Sequence, residues 1–217
     1  MKHRIAAAVC ILCLALTGCG HAAQTYTEYV QAVMDCTYQG NSQAYRSLTK
    51  ASETDADAVH QEAVTYLSEQ LCHQATVDRG SLSAETVAGY DSLAANLIGK
   101  AKYSASNAVK AGELYQITIT AEPLNIWDLV LSDMEKAYTS GFSKAFYSET
   151  PGTDAYTALE ASWGEKALEI YNAHLEEVSN KEAQTMTTVI YADSSGHYTI
   201  SQDSWRQMDN LVFGITE

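Results

Sequence analysis

The sequence predicts an α+β fold: mostly helix, about six helices packed on two β-hairpins that form a small antiparallel sheet. Three observations predict it. Apolar residues recur at helical spacing over most of the chain. The period changes to two in only two places, within 103–121 and 185–200. The chain is 46% hydrophobic with 2 prolines, a composition that packs a core rather than staying disordered.

The first helix covers 26–38, with Tyr26, Tyr29, Val30, Val33, Met34 and Tyr38 on one stripe. Gly40 and Asn41 stop it, and a short helical piece, 42–48, follows. The second helix starts at Ser52. Ser52 and Asp55 resemble a capping box with Asp in place of Glu, and Glu53, Asp55 and Asp57 suit the positive end of the helix dipole. Its apolar face is Val59, Ala63, Tyr66, Leu67 and Leu71. Ser83 caps the third helix, whose stripe is Val87, Tyr90, Ala94, Leu97, Ile98 and Ala101.

A hairpin then joins 103–110 to 114–121 around Ala111-Gly112, with Ile117-Thr118-Ile119-Thr120 alternating in its second arm; Pro123 ends it. The fourth helix covers 126–147, with Trp127, Val130, Leu131, Met134, Tyr138, Phe142 and Phe146 expected inward. Pro151 and Gly152 break it. The fifth runs from Asp154, read as its cap, to 179, over Tyr156, Leu159, Trp163, Ala167, Ile170, Tyr171 and Val178. The second hairpin joins 185–191 to 198–200, turning at 193–196, and Ser201 caps a final helix bearing Trp205, Met208, Leu211 and Val212. An isolated hairpin is marginal in water, so the two are expected to share one sheet under helices.

Residues 26–217 are expected to form a single α+β domain. An internal echo runs through it. Met34-Asp35, Tyr38, Gly40, Ser42 and Ala44-Tyr45 match Met134-Glu135, Tyr138, Gly141, Ser143 and Ala145-Phe146, and a hairpin follows each copy. Element order and letters together point to a duplication, with repeats 26–122 and 126–217.

The N-terminus is the most specific signal. Lys2, His3 and Arg4 precede a continuous apolar run, 5–16, too short to span a membrane, and Leu16-Thr17-Gly18-Cys19 closes it. This stretch resembles the bacterial lipobox in order, position and flanks. The resemblance implies that 1–18 is a lipoprotein signal peptide and that Cys19 is the lipid-attachment residue, carrying diacylglycerol and palmitate. It also implies a membrane-anchored chain on the extracytoplasmic face of the cell membrane, with 19–25 as a short tether. With Tyr29-Val30-Gln31-Ala32-Val33-Met34-Asp35-Cys36-Thr37-Tyr38-Gln39-Gly40, the 103–123 hairpin, and Tyr198-Thr199-Ile200 before the Trp205 helix, the chain resembles small Gram-positive lipoproteins of uncharacterised function. A helix pair before a hairpin sheet is also similar to NTF2-like domains, from which the hairpin order here departs.

The formal charge is −14, and cleavage before Cys19 would remove two cations and no acid. Such a surface is repelled by nucleic acid and by anionic headgroups, so no nucleic-acid partner is expected. Cys36 and Cys72 remain beside Cys19. Each falls toward the C-terminal end of its helix, and antiparallel packing of those helices would keep the two ends apart. A disulfide needs Cα atoms within roughly 7 Å, so two buried free thiols are expected.

No catalytic motif is found. The chain lacks Gly-x-Ser-x-Gly, His-Glu-x-x-His and a Gly-rich phosphate loop. His21, His60, His73, His174 and His197 include no i, i+4 pair, so no metal site is expected and no cofactor is implied. His174 reads as a satisfied histidine at the rim of a helix stripe. Asp55-Ala56-Asp57 reads as helix capping rather than a calcium loop. Glu160, Glu165, Glu169, Glu176 and Glu177 read as a solvated helix face.

The 14 tyrosines, against 3 phenylalanines, read as core rings with hydroxyls at the rim. Trp127, Trp163 and Trp205 are the candidate ligand-binding aromatics. The expected function is non-enzymatic binding of a protein or cell-wall partner near the cell surface. The alternative is a cell-wall or glycan hydrolase using acidic residues in an aromatic cleft.

Overall fold

The computed structural model describes the backbone of residues 19–192 and 198–215, and side chains within 24–191 and 199–215. Residues 1–18, expected to be a signal peptide, residues 193–196, expected to turn the second hairpin, and His197 lie outside the described residues, as do the side chains of Cys19 and His21. The fold is α+β, mostly helical, with one four-stranded antiparallel sheet. The chain separates into two compact units, residues 1–62, 101–123 and 181–217, and residues 63–100 and 124–180. Both units draw on both halves of the sequence echo.

Unit 1 holds α1 (Cys19–Gln39), α2 (Gln43–Thr49) and the start of α3 (Glu53–Gln74). Helix α1 begins at Cys19, so 19–25, read as a tether, continues the first helix; Ala22, Ala23 and Gln24 are good helix formers with nothing to stop them. Tyr26, Tyr29, Val30, Val33, Met34 and Tyr38 are buried as the stripe predicts, each side chain contributing about 1.5–3 kcal/mol. Gly40, at φ +64°, ends the turn in the left-handed region that glycine tolerates. At the start of α3 the capping box forms in full: Asp55 N–H donates to Ser52 Oγ at 3.1 Å, and Ser52 N–H to Asp55 Oδ2 at 3.2 Å.

The sheet of unit 1 contains β1 (Lys102–Ala111), β2 (Leu114–Glu122), β3 (Gln184–Ala192) and β4 (Tyr198–Ile200), in that spatial order. The two hairpins join through β2 and β3, as expected. Ile117, Ile119 and Ala121 alternate into the core beside Thr188, Ile190 and Ile200. Helices α1 and α8 (Gln202–Phe213) serve this inner face. Gln31 Oε1 accepts the Ala105 amide at 2.8 Å, and the Tyr26 ring lies 4.0 Å from that of Tyr115. Helix α8, capped by Ser201, buries Met208, Val212 and Phe213.

Unit 2 is helical. It holds the rest of α3, a 3-10 turn at Arg79–Ser81, α4 (Ala84–Ile98), α5 (Ile126–Ala137), α6 (Ser143–Ser148) and α7 (Asp154–His174). Three buried aromatic residues tie these helices by polar tips. Tyr90 OH donates to Gly164 O at 2.8 Å, Trp163 Nε1 to Ala75 O at 2.7 Å and Tyr171 OH to Leu71 O at 3.2 Å. Tyr26, Tyr29, Tyr38, Tyr90 and Tyr171 are fully buried, so these tyrosines are interior rather than rim residues.

Four features differ from expectation. The fourth helix divides into α5 and α6 at a π-helical turn, Tyr138–Phe142. Thr153 rather than Asp154 caps α7, its Oγ1 accepting from Tyr156 N at 3.2 Å. Helix α7 ends at His174, followed by a 3-10 turn, Leu175–Glu177. Leu131 and Tyr138, expected inward, are exposed at 68% and 37%. From 131 to 162 no residue is buried, so the α5–α6 arm and the start of α7 share one thin interface of Tyr138, Phe142, Phe146 and Tyr156.

Candidate functional site

The outer face of the unit 1 sheet gathers an unusual set of side chains. Strand pairing aligns them in rows. Ser104 faces Thr120, which faces Thr185; Ser106 faces Thr118, which faces Thr187. Val109, Gln116 and Val189 make the next row, and Ala111, Leu114 and the strand-end Tyr191 lie beyond. At one end Lys102 and Glu122 pair at 3.1 Å. Among the described residues of the paired strands they are the charged side chains on this face, one of each sign.

A bulge keeps the rows in phase. Asn107 and Ala108 together oppose Ile117, with Asn107 at φ +54°, a conformation that Asn tolerates better than most residues. Without it Val109 would turn inward and Ala108 outward.

The six hydroxyls in the first two rows make no hydrogen bond among the described residues. They form a grid spaced about 4.8 Å across strands and about 6.8 Å along them. Val109, Leu114 and Tyr191 are 58%, 40% and 37% exposed. One end of the face therefore offers free donors and acceptors and the other apolar surface. Exposed apolar clusters on a folded surface mark binding sites more often than chance.

Beneath the inner face lies a polar ladder. Tyr38 OH donates to Asp209 Oδ1 at 2.8 Å, and the Tyr38 ring meets Tyr103 and Phe213 edge-on at 5.1 and 5.6 Å. Tyr103 OH and Gln31 Nε2 both donate to Asp35 Oδ1, at 3.1 and 2.8 Å. Although Asp209 keeps some surface, its carboxyl is enclosed, and desolvation pushes it up to about 7 against the opposing hydrogen bond from Tyr38. Burial, then the neighbouring Asp35, pushes the Tyr103 hydroxyl up.

The sequence-predicted residues fall elsewhere. Trp163 is buried in unit 2, its N–H held by Ala75 and its ring against Tyr138 and Phe142. Trp127 is half-buried in the same unit, edge-on to Tyr171 at 6.2 Å. Trp205 is half-buried on α8 in unit 1. None of the three lies on the outer sheet face. Glu165, Glu169, Glu176 and Glu177 are exposed; Glu169 pairs with Lys166 at 2.6 Å, and Glu160 accepts the Asp78 amide at 2.9 Å.

His174 clasps α5 to α7 through Asp133 at 3.0 Å, which raises its pKa, with Glu177 at 3.5 Å assisting. An open depression of about 630 Å³ beside α2 includes Arg46 and Lys50, but both cations are engaged, with Glu53 at 3.7 Å and Ser47 O at 2.7 Å. Cys36 and Cys72 are buried and not joined in a disulfide, Cys36 Sγ against Ala56 O at 3.5 Å. Among the described residues no group of three or more His, Cys, Asp or Glu side chains could hold a metal, and no helix is long and apolar enough to cross a membrane.

No protein-family model matches the chain, and no curated protein matches it. Among solved structures it is similar to the crystal structure of ycdA, a candidate lipoprotein of Bacillus subtilis, with 11% identity and a TM-score of 0.56. The match covers 89% of this chain and 57% of that one, so the chain spans little more than half of that protein's length. At this identity the likeness is one of fold.

Proposed function

We propose that this is a lipid-anchored extracytoplasmic protein that binds a partner at the cell surface without catalysis. Its anchor is the lipid on Cys19, and its binding surface is the outer face of the unit 1 sheet. The observation that carries the reading is the grid of unpartnered hydroxyls on Ser104, Ser106, Thr118, Thr120, Thr185 and Thr187, continuous with exposed Val109, Leu114 and Tyr191. A sheet face that serves only solubility is rich in charge; apart from Lys102 and Glu122 at its margin, the described part of this face carries hydrogen-bonding capacity and apolar area. The lipobox and the fold shared with the candidate lipoprotein ycdA support the anchored setting.

The test is a photo-crosslinking residue at Thr187 in the full chain within producing cells, with the exposed Thr157 of α7 as control. Adducts at 187 and not at 157 are expected. Equal adducts at both positions, or none at 187, would overturn the reading.

A further inference from the structure

We infer that the outer face of the unit 1 sheet takes a neutral glycan chain, an assignment that rests on the binding reading above and names its ligand.

Charge argues for it first. The chain carries −14, yet Lys102 and Glu122 neutralise each other at the margin of this face. Beyond that pair the described residues of the face offer an ionic ligand nothing to pair with, and burying an unpaired charge against it would be costly. An uncharged ligand meets no such penalty.

The polar groups specify further. A hydroxyl both donates and accepts, so a grid of hydroxyls suits a ligand whose own groups do both. A polyol chain does so along its whole length, whereas an extended peptide would use the backbone of a strand edge rather than a sheet face. The apolar end fits as well: Tyr191, Leu114 and Val109 can receive the C–H faces of sugar rings while the threonines take their hydroxyls.

Size separates this ligand from a second copy of the chain or another folded protein. Three strands and about 23 Å of strand length give a face of about 300 Å². A stable protein–protein interface needs about 800 Å² from each partner. A slender chain lying across the rows can use the whole face; a folded partner would need much more surface than it supplies.

The experiment is sedimentation of the detergent-solubilised full chain with insoluble chitin, a neutral polysaccharide. Heparin-agarose serves as the anionic control. The wild type is expected to partition onto chitin and not onto heparin. Thr118→Val with Thr187→Val keeps side-chain shape and strand propensity while removing two hydroxyls, and is expected to lower the chitin partition at least fivefold with an unchanged melting curve. Tyr191→Ala serves as a second, independent variant with the same expected loss. No retention of the wild type, equal retention of both variants, or stronger retention on heparin would overturn the assignment. If chitin retention fails while crosslinks from position 187 persist, the ligand class is wrong and the binding reading stands. If both fail, both readings fall.

Discussion

Tyr38 on α1 donates a 2.8 Å hydrogen bond to Asp209 on α8, and this is the hydrogen bond seen at the Asp209 carboxyl. Among the described residues no cation acts on that carboxyl; desolvation dominates and the tyrosine opposes it. Helix α8 is thus held to the interior by a group whose charge state changes near neutrality.

The sign follows from linkage. A carboxyl raised from 3.8 to about 7 gives stability that is complete below its ordinary value and is lost as pH rises through about 7. Thermal melts at pH 4 to 9 should show the wild type losing stability relative to Asp209→Asn as pH rises from about 4 to about 7, with the difference levelling off above that. Tyr38→Phe removes the donor that favours the carboxylate, so its midpoint should move higher. Parallel pH profiles for wild type and Asp209→Asn would show that Asp209 does not titrate there.

Trp163 is a structural residue. Trp163→Phe strands the Ala75 carbonyl and leaves a void, and should cost about 1–3 kcal/mol in urea denaturation. Trp205→Phe, at a half-buried position, should cost under about 1 kcal/mol. A larger effect at Trp205 would contradict the packing described.

The thiols should be silent in the native protein. Burial pushes Cys72 up to about 12, and Cys36 is buried against Ala56. Mass spectrometry after alkylation should find Cys36 and Cys72 unmodified in native buffer and both modified in denaturant without reductant. Recovery of a linked peptide pair would refute the free thiols.

If Cys19 carries the anchor, Cys19→Ala should release the protein from the membrane fraction while leaving its melting curve intact, because acyl chains there would contribute roughly 0.8 kcal/mol per buried CH₂. Persistence of the variant in washed membranes would refute lipid anchoring through this residue.

What the sequence revealed was local. The Ser52–Asp55 box and the Ser83 and Ser201 caps read correctly because a cap and its partner lie within one turn. The alternation over Ile117–Thr120 likewise announced β2. The π-turn at Tyr138–Phe142 had no local signal beyond Gly141, and the corresponding break in the other copy of the echo is a true stop at Gly40. Leu131 was misread because a helical stripe records what can be buried, not how wide the neighbour is. The outer face stayed hidden for a different reason. Thr118 and Thr187 are 69 positions apart, and only the β2–β3 register brings them together. The bulge at Asn107 then decides whether Val109 joins them.

Helix α1 begins at Cys19, and the first buried residue among those whose side chains are described is Tyr26, about 10 Å further along the axis. With acyl chains on Cys19, a rod rather than a string connects bilayer to core. Unit 1 could then spin and rock on its acyl pivot but hardly rise from it. Such a unit would search by a two-dimensional patrol at nearly fixed height, and a pull on it would load α1 before any other element.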